Sequence, residues 1–165
     1  MVNIADIPFK QIIAFDQVGM TVLATDDKKY YLTEGTLAWR HNNPGNLKYG
    51  EFAKDFGSLG MGWEGHAVFS TYDDGAEAQK QLLFSREGKY YNKTIRQAVE
   101  VYAPLNDPNP IAKNNPPEYA KFIADAADVS VNTKLIELSE RRRILLLAAM
   151  RTFEGYKPGI IREVN

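Results

Sequence analysis

The chain has 165 residues, 44% of them hydrophobic and 25% charged, enough for one globular domain with a sizeable core and too apolar for whole-chain disorder. Lys and Arg total 20 against 21 Asp and Glu, a formal charge of -1, which lacks the basic surplus of a nucleic-acid binder. Cysteine is absent, which excludes disulfides, thiol catalysis, Cys-ligated zinc and iron–sulfur clusters, and His41 and His66 are too few for a three-His metal site.

Residues 8–15 carry apolar side chains at a spacing that fits a short helix or a strand. Residues 20–24 (Met-Thr-Val-Leu-Ala) are β-rich, a Thr-Asp-Asp-Lys turn cluster follows, and residues 29–32 supply the return strand of a predicted hairpin. Residues 41–65 are dense in Gly and Asn, a signature of tight turns and close backbone approach. Residues 67–72 read as a strand. A helix then starts at Asp73 or Asp74, either of which can cap it, with Ala76, Gln79, Leu82 and Leu83 at helical spacing.

The remainder reads as helical. Thr94 is an expected N-cap for a stripe of Ile95, Ala98, Val99 and Tyr102. A Pro- and Asn-rich loop over 105–117 leads into a helix with Pro117 in its first turn and Tyr119, Phe122, Ile123 and Ala126 along it. Ser139 caps the strongest helix, whose Ile144, Leu145, Leu147, Ala148, Met150 and Phe153 look apolar nearly all round; we expect it to be central, and Gly155 to stop it. No repeat or linker interrupts the chain, so a single domain over 1–165 is expected.

Chemistry concentrates in the run Trp39-Arg40-His41-Asn42-Asn43-Pro44-Gly45-Asn46-Leu47-Lys48-Tyr49-Gly50. Asn42, Asn43 and Asn46 offer amide donors and acceptors around a Pro-Gly turn, and Trp39 and Tyr49 flank them with flat apolar faces. That combination suits a neutral ligand rich in hydroxyl and acetamido groups, although asparagines in turns also bond their own backbone. No phosphate-cradling Gly-rich loop ending in Lys-Ser or Lys-Thr is present.

The run resembles the W-R-N-N-N-P-G-N-[IL]-x-Y-G signature of a family of phage virion-associated and secreted-effector muramidase-like proteins. Further matches follow in order: residues 57–60 resemble its G-A-I-G, 65–69 its G-F-A-V-F, 72–75 its Y-E-x-G step into a helix, 102–104 with Tyr119 its Y-A-P-P…Y stretch, and 153–155 a terminal E-G step. The resemblance covers roughly 36–155, with a motif-bearing core of about 34–155. His41 departs from the family's usual Asn, and Pro104-Leu105-Asn106-Asp107-Pro108-Asn109-Pro110 lacks the family's glutamate, so no catalytic role is carried over there. The resemblance implies a lysozyme-like α+β fold, mostly α, with a small antiparallel β region ahead of a helical C-terminal half. It also implies action on peptidoglycan without a cofactor.

A glycosidase of the usual kind needs a carboxylic acid to protonate the leaving oxygen and a second group to hold charge or activate water. Glu34 is the expected acid: it precedes Gly35 upstream of the motif, and Leu32, Leu37 and Trp39 are placed to desolvate it. Glu51 is the expected second carboxylate, with Asp55 behind it. Asp73 reads as a cap. Glu154, a carboxylate opposing the dipole at a helix C-terminus, wants a reason: either it bonds the Asn-rich loop or it is catalytic. Arg141, Arg142 and Arg143 read as a solvated helix face.

The expected function is therefore cleavage of the glycan strand between N-acetylmuramic acid and N-acetylglucosamine by Glu34 and Glu51, as a hydrolase or as a lytic transglycosylase. Trp39, Asn42, Asn43, Asn46 and Tyr49 bind substrate, and neither metal nor cofactor takes part. The alternative is a catalytically silent glycan-binding or virion structural module; in a delivered toxin, a periplasmic immunity protein would be the partner. Asp6, Lys10 and Asp16 break up any conventional secretion signal. The longest purely apolar run, 144–150, falls far short of the roughly 20 residues of a membrane span. Synthesis in the cytoplasm, no membrane insertion, and action at the cell wall after delivery or within a virion are expected.

Overall fold

The computed structural model describes residues 7–16, 19–107 and 114–164. Among the described residues the chain is mixed α+β, about 41% helical, with six helices and two small antiparallel sheets. It divides into two compact units, one formed by residues 1–79 with 154–165 and the other by 80–153.

In the first unit, β1 (Gln11–Phe15), β2 (Thr21–Ala24), β3 (Lys29–Thr33) and β6 (Ile160–Val164) form an antiparallel sheet in that spatial order. The ambiguous segment at 8–15 is thus a strand, and the predicted hairpin pairs Thr21 with Leu32 through Ala24 with Lys29. Its turn closes through Thr25 N–H on the Lys28 carbonyl at 2.9 Å. Every residue of β2 is buried. Phe9, Leu23, Leu32, Trp39 and Val68 share one apolar cluster. After the short helices α1 (Leu37–Arg40) and α2 (Glu51–Asp55), β4 (Ser58–Met61) and β5 (Ala67–Phe69) make the second hairpin.

Helix α3 (Tyr72–Phe84) starts one or two residues earlier than the sequence suggests. The cap is therefore Thr71, whose Oγ1 accepts the Asp74 N–H at 3.1 Å, while Asp73 and Asp74 lie in the first turn, where their charge favours the helix dipole.

The second unit contains α4 (Ile95–Tyr102), α5 (Pro116–Ala126) and α6 (Glu140–Phe153). Thr94 caps α4 in a full capping box with Gln97, and Asn115 caps α5 ahead of Pro116. In the loop expected at 105–117, residues 108–113, including Pro108, Asn109 and Pro110, lie outside the described residues. Ser139 caps α6 as expected, accepting the Arg142 N–H at 3.3 Å, and Gly155 follows the helix with φ 75°.

The expectation for α6 itself needs correction. Leu146, Leu147, Ala149 and Met150 are buried, but Ile144 is 59% exposed, and Leu145 and Ala148 are exposed too. The helix is amphipathic in placement although its sequence is not: one face packs on α5 residues such as Ile123 and Ala124, and the opposite face remains in solvent. On α5 the same offset holds, since Tyr119 and Ile123 are buried whereas Phe122 and Ala126 are exposed.

Candidate active site

The Asn-rich loop leaves α1 and turns back under β5. Asn42 and Asn46 have φ of 50° and 52°, left-handed backbone that asparagine tolerates better than most residues. Asn43 is 0% exposed; its Nδ2 donates to the Leu47 and Ala67 carbonyls, both at 2.9 Å, and its Oδ1 accepts the Leu47 N–H at 2.9 Å. Asn42, also buried, donates to the Phe69 and Ser70 carbonyls at 3.3 and 3.2 Å. These two amides staple the loop to β5. The Gly75 Cα packs on this loop so closely that a Cβ there would sit 1.9 Å from the Asn42 carbonyl oxygen, which accounts for glycine at that step into α3.

Three of the residues expected to bind substrate lie inside the fold. Asn42 and Asn43 are interior, with their donors spent on backbone carbonyls, and Trp39 is a core side chain of the first unit. The asparagine whose side chain leaves the loop is Asn46: its Nδ2 donates to Glu154 Oε2 at 3.2 Å. Glu154 thus bonds the Asn-rich loop, the first of the two reasons its position suggested. Tyr156, two residues on, meets Tyr72 edge to face with ring centroids 5.3 Å apart. Tyr49 is half-buried, and its N–H donates to the Gly65 carbonyl at 2.8 Å.

Glu34 is exposed, in a turn where its φ is 62°. The desolvation expected from Leu32 and Trp39 is not realised, because both side chains point into the core. Arg40, almost fully buried, donates from Nη1 to the Gly35 carbonyl at 2.6 Å and so fixes the turn that carries Glu34. Burial weakens the charged form of this guanidinium, and Asp16 opposes that effect. The same turn is tied to the segment after α6, since Thr36 N–H donates to the Lys157 carbonyl at 3.1 Å and Lys157 N–H to Thr36 Oγ1 at 3.0 Å. Glu34 and Glu154 therefore flank one stitched stretch of chain. Glu51 stands in the first turn of α2 with its side chain 88% exposed, 3.6 Å from Lys54, and Asp55 is exposed at the end of that helix.

His41 is fully buried, and burial, with His66 and Arg40 adding to it, pushes its pKa down to about 3. Neither ring nitrogen has a partner. Among the described residues no group of three or more His, Asp or Glu is placed to hold a metal ion, and no helix is long and apolar enough to cross a membrane. The chain matches no protein-family model and none of the curated proteins.

Proposed function

We propose that the chain is a lysozyme-like muramidase that cleaves the glycan strand of peptidoglycan, with Glu34 as proton donor and Glu154 in the role the sequence suggested for Glu51. The observation that carries this reading is the 3.2 Å hydrogen bond from Asn46 to Glu154. It joins the most diagnostic run of the sequence to a half-buried carboxylate in the E-G step that closes the resemblance. An amide N–H donated to a carboxylate stabilises its negative charge, and a negative charge is what balances an oxocarbenium-like transition state or takes a proton from water. The second support is the stitching of the Glu34 turn to Lys157 through Thr36, with Arg40 bracing that turn at the Gly35 carbonyl. Peptidoglycan as substrate places the action at the cell wall, reached by delivery or within a virion.

In this mechanism the Glu34 carboxylic acid protonates the glycosidic oxygen as the C–O bond breaks. Glu154 stabilises the developing positive charge or activates the incoming water. Because Glu34 is exposed in the free chain, the bound glycan itself must exclude water from it. Asn46 holds Glu154, and Tyr49 stands next to it along the loop.

The test is incubation with purified peptidoglycan followed by mass analysis of the released fragments. Glu154→Gln and Glu34→Gln should each lower release by about a hundredfold or more while leaving the fold intact. Full activity in Glu154→Gln would overturn its role. Wild-type protein that binds sacculi but releases nothing would replace the enzyme with a silent glycan-binding module.

A further inference from the structure

Helices α4 and α5 pack through Ala98, Val99, Ala120 and Ile123, all members of one buried cluster in the second unit. Their seam does not close completely. A cavity of about 540 Å³ opens there, lined by Arg96 and Glu100 on α4, by Pro117, Ala120 and Lys121 on α5, and by Val131. That volume falls within the roughly 300–1,000 Å³ of small-molecule sites. Two local causes keep it open. Ala120, 2% exposed, puts only a methyl group on the floor. The Arg96 N–H donates to the Val131 carbonyl and the Ile95 N–H to the Thr133 carbonyl, both at 3.0 Å, so the 131–133 wall is tied to the start of α4.

The cavity carries charges of both signs. Arg96 and Glu100 stand one turn apart on the exposed side of α4, and among the described residues neither side chain has a hydrogen-bond or ion-pair partner. Arginine ahead of glutamate is the weaker order for a pair at this spacing, so little draws them together. Lys121 is engaged, 2.6 Å from Asp125 Oδ2. One guanidinium and one carboxylate thus keep their hydrogen-bonding capacity over an aliphatic surface of Pro117, Ala120 and Val131. A ligand that satisfies all of it carries a carboxylate, an ammonium and small aliphatic groups. Side chains one turn apart have Cβ atoms about 5–6 Å from each other. Two extended residues span about 7 Å, so the two ends of a dipeptide match the separation of the two charges within the reach of their side chains. The guanidinium can take a carboxylate through two parallel N–H donors, which a carboxamide oxygen alone does not match.

We propose that this cavity binds a short peptide with free amino and carboxyl ends and small aliphatic side chains. Arg96 takes the carboxylate, Glu100 the ammonium, and Pro117, Ala120 and Val131 the methyl groups. The site does not depend on the glycan-hydrolase reading, and none of its residues takes part in the chemistry assigned to Glu34 and Glu154.

The full chain, isotope-labelled, is titrated with alanyl-alanine and followed through its backbone amide NMR signals. Saturable shifts should centre on residues 96–100, 117–121 and 131. N-acetyl-alanyl-alanine and alanyl-alanine amide, each lacking one charge, should bind at least about tenfold more weakly. Arg96→Gln should lose the discrimination against the amide and keep that against the acetylated peptide, and Glu100→Gln should do the reverse. Both residues are exposed, so both variants should keep the wild-type thermal midpoint. Ala120→Leu should abolish binding by filling the floor; if it does not fold, the two charge variants decide. The proposal is overturned by the absence of a saturable shift, by shifts centred outside the cavity, by equal binding of the three peptides, or by wild-type affinity and discrimination in Arg96→Gln and Glu100→Gln.

Discussion

His41 sits in the motif loop with both ring nitrogens unpartnered, so burial, with the nearby His66 and Arg40 adding to it, sets its protonation. The imidazole takes a proton near pH 6.5 in the unfolded chain but only at about 3 in the folded one, chiefly because burial disfavours the charged form. The unfolded state therefore binds more protons between those values. Stability is full above pH 6.5 and is lost progressively as pH falls toward 3, by as much as roughly 5 kcal/mol. Urea unfolding between pH 4 and 7.5 should show that slope in the wild type and a flatter one in His41→Asn. Asn43 makes a different contribution. With three backbone partners and no exposure, Asn43→Ala should lower stability by about 3 kcal/mol in chemical denaturation, since partners are left buried and unpaired. Sequence could not separate Asn43 from Asn46: turn geometry, loop stapling and ligand contact all select the same residue type. What distinguishes them is where the chain returns, since β5 covers Asn43 and Glu154 meets Asn46.

Helices declare themselves in sequence through caps and apolar stripes. The Thr94 cap on α4 is complete, with Thr94 Oγ1 accepting the Gln97 N–H at 3.2 Å and Gln97 Oε1 accepting the Thr94 N–H at 3.0 Å. Thr94→Ala should cost about 1 kcal/mol by thermal unfolding. Helix α6 defeats the same approach because its apolar residues surround the axis, leaving periodicity nothing to choose between. Only packing decides, and it selects the Leu146, Leu147 and Met150 side. The contrast is measurable: Leu146→Ala should cost about 2–5 kcal/mol, whereas Ile144→Gln should stay within about 0.5 kcal/mol of the wild type. Short elements were hidden for another reason. Helices α1 and α2 are too brief to carry a period, and the Asn- and Gly-rich composition around them speaks of turns.

At the scale of the molecule, the α+β class and the order of a small β region before helices were legible, because hairpin and cap signals are local. The division into two compact units and the strand β6 were not. Residues 160–164 (Ile-Ile-Arg-Glu-Val) form a strand only because β3 offers an open edge, from Thr33 opposite Ile160 to Lys29 opposite Val164. Removing residues 159–165 should leave β3 as an exposed edge. We expect a lower thermal midpoint and increased aggregation in static light scattering, with α4, α5 and α6 still visible in far-UV circular dichroism.

Strand β6 also imposes an order of events on the ribosome. Thr36 and Lys157, which close the seam beside it, are 121 positions apart, and the whole of residues 80–153 is made between them. The hairpin of β2 and β3 can form early, but its outer edge must wait for the late segment, which also brings Glu154. Until then the nascent chain holds an unfinished sheet. The carboxylate proposed for catalysis is made a few residues before the strand that completes that sheet, so the first unit and its proposed chemistry mature together only after residues 80–153 have been made.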